Sequence, residues 1–245
     1  MVKMEFSYPE EVNRIKENCL PVFLPVGTME YHSHHCPFGT DTMVALGVSE
    51  KIAEQVDGLV LPPIWYGVAS YAVGGPETNT LNVDVDTIER YVTCILDSLF
   101  KSGFKKNIFV IIAHQTEDYM PMTLACMKAA KKLIMAELEQ KGGYGWWGKR
   151  ENADFYENLS GSDSPWNKVR FVLIPETPSF KGDSDHAGVV ECSMVEYLYP
   201  GSIKLDRHNA TDDWFAESAV NTSVELGEKL VNCCVNDVIK MIKGE

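Results

Sequence analysis

Val26-Gly27-Thr28-Met29-Glu30-Tyr31-His32-Ser33-His34-His35-Cys36-Pro37-Phe38-Gly39-Thr40-Asp41 follows an apolar run, Leu20 to Val26, and leads into a stretch with helical periodicity. An unbroken apolar run of this length reads as a parallel strand covered on both faces. The polar loop after it then lies where open α/β sheets collect ligands, beyond the carboxyl ends of the strands. Three of the six histidines and two acids fall within the twelve residues from Glu30 to Asp41. Glu30 and His32 are two apart and project to one side while the chain stays extended, and Asp41 arrives from the following helix. A mixed Glu/His/Asp set suits a first-row divalent ion, or a pair of ions bridged by one carboxylate.

Strand-like runs and helical patterns alternate along the rest of the chain. Thr42 to Val56 carries Val44, Val48 and Ile52 at helical spacing, with Gly58 as a stop signal. Leu59 to Ile64 is a second short apolar run, ended by Pro62-Pro63. The glycines, prolines and aromatics of Trp65 to Thr80 suit equally a loop beside a ligand and an ordinary irregular connection. Asp86-Thr87-Ile88-Glu89 has the form of a capped helix start, and Ile88, Val92, Ile95 and Leu99 mark one apolar face up to Gly103. Asn107 to Ala113 is strongly β-favouring and ends on His114, whose side chain should reach the crevice of Glu30 and His32. Pro121 to Gln140 reads as a helix with Leu124, Met127, Ala130 and Leu133 inward. Val169 to Ile174 reads as a strand, and Trp214 to Lys243 as one amphipathic helix. Four such alternations predict one three-layer α/β/α domain, residues 1–245, with a mostly parallel central sheet.

With 245 residues, 45% of them hydrophobic, the chain can bury a substantial core. A net charge of −13 argues against nucleic acid or an anionic membrane as partner, because both demand basic patches. Seven cysteines, an odd number without zinc-knuckle spacing, speak against a disulfide framework and for a reducing cytoplasm. The first residues lack the apolar core of a signal peptide. Glycine-rich phosphate loops and nucleophile elbows are absent, which weakens dinucleotide, P-loop and serine-hydrolase readings.

The pattern Gly27-x-x-Glu30-x-His32-x-x-His35-x-Pro37-x-x-x-Asp41 closely resembles the signature of the creatininase (creatinine amidohydrolase) family, metal-dependent hydrolases of amide-like C–N bonds. His186-Ala187-Gly188-x-x-Glu191-x-Ser193 looks like the family's downstream motif, with Cys192 where threonine is usual. The resemblance implies Glu30, His32, Asp41 and His114 as ligands of one or two divalent ions per chain, zinc, manganese or iron. It makes His186 the proton donor or acceptor, with Glu191 either orienting it or completing an ion's coordination. It also implies a tryptophan over the substrate, Trp146 or Trp147, in the aromatic segment from Gly143 to Lys168; that segment equally suits a subunit contact. A homo-oligomer, hexameric by resemblance, is expected.

After His114 the chain departs from the family pattern. It reads Gln115-Thr116-Glu117, placing the acid three residues from the histidine, whereas creatininase has it two residues on. A one-residue shift at a strand end turns a side chain to the other face, so Glu117 is expected to stay out of the ions' coordination. The function expected is hydrolysis of a small cyclic or formyl-like amide by a metal-activated water, creatinine being the best single substrate. A purine-derived formamide or a short peptide is the alternative within the family, and a non-catalytic metal-binding protein the alternative outside it.

Overall fold

Short apolar strands alternate with longer helices in the computed structural model, which describes residues 1–114, 121–155, 157, 159, 164–210 and 212–244. In chain order these are β1 (Val2–Lys3), α1 (Pro9–Glu17), β2 (Val22–Val26), α2 (Thr40–Val56), β3 (Leu59–Val60), α3 (Val85–Lys101), β4 (Ile108–Ile112), α4 (Pro121–Gly142), β5 (Val169–Leu173), α5 (Val189–Leu198) and α6 (Val224–Lys243). The strands form one parallel sheet in the order β1-β3-β2-β4-β5. Both central strands are wholly buried, which is why they are apolar throughout instead of alternating.

Their side chains feed two cores. Val22, Leu24 and Val26 of β2 and Ile108, Val110 and Ile112 of β4 pack with Ile88, Val92 and Leu96 of α3 and Met122, Ala125 and Ala129 of α4. Phe23, Phe109 and Ile111 face the other way, onto Val44, Val48 and Ile52 of α2, Met194 and Val195 of α5, and Val231, Val235 and Val238 of α6. The chain leaves β2 towards β3 on one side and β4 towards β5 on the other. The crevice beyond Val26 and Ile112, which are register partners, is therefore the topological switch point where such sheets bind ligands.

Four expectations need correction. The segment from Trp214 is not one helix: a 3-10 helix, Trp214–Asn221, precedes α6. The break arises because the Ser223 hydroxyl caps α6 by accepting from Leu226 N at 3.1 Å, while Ser223 N donates to Ser193 Oγ at 3.1 Å. Helix α3 begins two residues earlier than read, since the carboxylate accepting from Thr87 N at 2.9 Å is that of Asp84. On α4, Leu124 and Met127 are exposed, and the inward face is Met122 with the small side chains of Ala125, Cys126, Ala129 and Ala130, which let α3 approach closely. The run after Gly58 pairs as a strand only over Leu59–Val60, leaving Ile64 in an isolated bridge to Val26.

Candidate metal centre

The loop after β2 is anchored at both ends. Glu30 N donates to Phe38 O at 3.0 Å, and Tyr31 N to Thr80 Oγ1 at 3.0 Å. The glycine-rich segment 65–80 is thus a neighbour of the site. Gly27 matters because a Cβ there would lie 2.4 Å from Thr42 N. Its bareness lets the strand end abut the first turn of α2 and brings Asp41 over the crevice.

There the predicted ligands converge. Asp41 Oδ1 lies 2.9 Å from His32 Nε2, and its Oδ2 lies 2.9 Å from His114 Nδ1. Glu30 Oε2 is 3.2 Å from the same His114 nitrogen. All four residues are at most 5% exposed. Glu30 Oε2 and Asp41 Oδ2 are nevertheless buried without a hydrogen-bond partner, because the approach of His114 is close but misaligned. Buried acceptors left unpaired around one point are costly, and a cation would satisfy them together. Three overlapping donor groups result, Glu30/Asp41/His114, His32/Asp41/Glu191 and Glu30/His32/His186, with Asp41 common to the first two. The residues therefore fit a divalent metal.

The charges point the same way. Burial opposes a proton on His32 and on His114, but the surrounding carboxylates outweigh it and raise each to about 10 in the metal-free protein. Asp41 is held well below the usual carboxylate range, burial being overcome by the two imidazoles. Glu191 is pushed well above that range by burial, with the charges of Asp41 and Asp185 adding to it against His32. Carboxylates crowded this closely away from water demand positive charge.

His186 and Glu191 come from the turn before α5. The Asp185 carboxylate accepts from Val190 N at 2.8 Å and Glu191 N at 3.1 Å, capping the helix. The His186 ring stacks on His32 with centroids 4.2 Å apart, and its Nε2 donates to Tyr31 O at 2.8 Å. The proton on Nε2 leaves Nδ1 as the basic atom. Burial, reinforced by the positive charge of His32, lowers His186 to about 3, so its ring is neutral at ordinary pH. Glu191 Oε2 lies 3.6 Å from His32 Nε2 and accepts from Ala187 N at 2.7 Å. Its carboxylate thus stands beside His32, while the group hydrogen-bonded to His186 is the Tyr31 carbonyl.

Trp146 and Trp147 follow α4, which leads the chain away from this crevice. Helix α4 starts beside the carboxyl ends of the strands and its 22 residues carry the chain about 33 Å back. Its last turns pair with the start of β5 through Glu137 and Lys168. Trp146, four residues beyond the end of α4, packs on Phe155 at 5.1 Å. The aromatic groups at the crevice are others: Phe215 sits 5.3 Å from the His186 ring and Trp214, 79% exposed, 6.1 Å from Phe215. The sequence signal was the adjacent Trp214-Phe215 pair at the start of the stretch read as one amphipathic helix. His208 Nε2 donates to Ala216 O at 3.0 Å. Gln115, Thr116, Glu117 and Tyr156 lie outside the described residues.

A family model described as creatinine amidohydrolase matches residues 5–242. Creatinine amidohydrolase of Pseudomonas putida is 26% identical over 266 residues, covering 98% of this chain and 95% of that protein. Shorter similarities join it to 3-dehydro-scyllo-inosose hydrolase of Thermotoga maritima, 30% identical over 45% of this chain and 35% of that protein. Mycofactocin precursor peptide peptidase of Mycolicibacterium smegmatis is 38% identical over 23% of this chain and 26% of its own length. A solved structure named creatininase Mn has the same fold, with a TM-score of 0.73 at 22% identity, covering 99% of this chain and 98% of that one. Among the described residues, no helix is long and apolar enough to cross a membrane.

Proposed function

The chain belongs to the creatininase family, whose members are hydrolases of amide C–N bonds, and from that premise we propose that it cleaves the amide of a small cyclic or formyl-like substrate, creatinine being the best single candidate. The observation that carries this reading is Asp41, which offers one carboxylate oxygen to each of two imidazoles, 2.9 Å away in both cases. Glu30, Asp41 and His114 would hold one divalent ion, and His32, Asp41 and Glu191 a second; zinc, manganese and iron all suit this mixed set. A metal bound there supplies an acidified water and polarises the scissile carbonyl.

The chain's own residues do the rest. Tyr31 O fixes the His186 tautomer, so that Nδ1 accepts a proton from the nucleophile and returns it to the leaving nitrogen. Phe215 packs against that ring and with Trp214 lines the substrate side. One domain, assembled as a homo-oligomer in the cytoplasm, houses the site.

Metal analysis beside assays on creatinine, formamides and short peptides tests the proposal. Bound metal with creatinine turnover supports it. The names of the shorter relatives, an inosose hydrolase and a precursor-peptide peptidase, favour a second reading, another substrate at the same centre; turnover of a formamide or peptide but not creatinine would establish it. Full metal occupancy without any hydrolysis would leave a binding protein.

A further inference from the structure

A second donor cluster of different chemistry adjoins the carboxylate centre. His35, Cys36 and Cys192 each present a ligand atom, and the three atoms lie within 4.8 Å of one another. The two sulfurs are 3.1 Å apart although 156 residues separate them in sequence. His35 is 1% exposed. Its Nε2 donates to the Ala187 carbonyl at 2.9 Å, which leaves a lone pair on Nδ1, and that nitrogen is buried without a partner. Donating one ring N–H to a backbone carbonyl while keeping the other nitrogen unprotonated is the habit of metal-ligating imidazoles. Cys36 is only partly buried, so an ion has a route in from solvent.

We propose that His35, Cys36 and Cys192 form a separate site for a thiophilic cation, of the class of zinc, cadmium or copper(I). Two thiolates and an imidazole select soft or borderline metals, whereas the oxygen-rich Glu30/Asp41 centre accepts harder ones. Three protein donors leave a fourth position to water. Binding releases the two thiol protons to solvent and breaks the contact of Cys192 Sγ with Ala187 O, now 3.3 Å, while His35 keeps that carbonyl. With metal–sulfur bonds of about 2.3 Å in tetrahedral geometry the sulfurs stand about 3.8 Å apart, so the present 3.1 Å opens by about 0.7 Å. Cys36 lies in the loop between Glu30 and Asp41, and Cys192 follows Glu191. Filling this site therefore stiffens both segments that build the first.

Cobalt(II), as a coloured stand-in for zinc, distinguishes the two sites because only thiolate coordination adds charge-transfer absorption in the near ultraviolet. The full-length protein, stripped of metal and kept reduced with a phosphine, should develop this absorption with the final intensity of one thiolate-bound cobalt per chain, whatever cobalt the carboxylate centre takes up besides. Cys36→Ser and Cys192→Ser should each lose it, and Asp41→Ala should retain it. No charge-transfer absorption in the wild-type protein with all seven thiols titratable after denaturation would overturn the proposal without recourse to any variant. So would absorption that persists in both serine variants, since it would then arise from the other cysteines.

Discussion

Asp41 is the side chain on which both candidate ion positions depend. Replacing it with alanine removes one ligand from each of the two donor groups that share it. We expect Asp41→Ala to lose most bound metal, measured by elemental analysis; full retention would show that the ions bind elsewhere. His186 makes a different case, because it touches the centre by stacking on His32 and is held through Tyr31 O. His186→Ala should keep its metal while turnover falls by a factor of about 10²–10⁴, the usual worth of acid–base help. An unchanged kcat would remove His186 from proton transfer.

The strands and helices position these groups through close contacts that small residues permit. At Gly27, a Cβ would meet the backbone nitrogen of Thr42 at 2.4 Å, an atom that cannot move unless α2 does. Gly27→Ala should destabilise the fold by about 1–3 kcal/mol, the common cost of overpacking, and weaken metal binding because Asp41 rides on the displaced turn. Denaturant unfolding with parallel metal titration checks both; a loss of stability with unchanged affinity would show that the loop compensates. Gly227 serves α5 similarly, since a Cβ there would fall 1.9 Å from Ser193 O, and α5 carries Glu191. Helix α6 thus holds the second donor group in place from behind.

For the folded chain as a unit, the centre makes stability depend on metal and pH together. An ion present at 100 times its Kd adds about 2.7 kcal/mol, which for a chain of this size corresponds to a rise in Tm of roughly 5–10 °C. Chelation should therefore lower Tm by several degrees, and readdition should restore it. Without metal, His32 and His114 are raised from 6.5 to about 10. Raised pKa values mean that the folded state holds protons the unfolded chain has released. That stabilisation is complete below about pH 6.5 and is lost as pH climbs towards 10 in the stripped protein. Thermal melts across this range should show the decline in stripped protein and little of it in metal-loaded protein; equal profiles would mean that the imidazoles are not paired as described.

Much of this was legible in the chain because its causes are local. Val22–Val26 and Ile108–Ile112 had to be apolar, since helices cover both faces of the sheet, and so they declared themselves as central strands. Glu30, His32 and Asp41 lie within twelve residues, so one loop and one helix start bring them together, and His114 followed from its place at a strand end. Contacts between distant segments were not legible. Periodicity says which face of a helix is apolar but not which neighbour it meets, so the inward face of α4 and the start of α6 at Ser223 were set by packing against α3 and α5. The Tyr31 carbonyl that holds His186 is 155 residues away from it, and Cys36 and Cys192 are 156 apart. Trp146 was placed by its distance along the chain after His114, yet the 22 residues of α4 between them carry the chain away from the crevice. Adjacency across such separations is created only when parallel strands align their carboxyl ends, and no stretch of the chain encodes it alone.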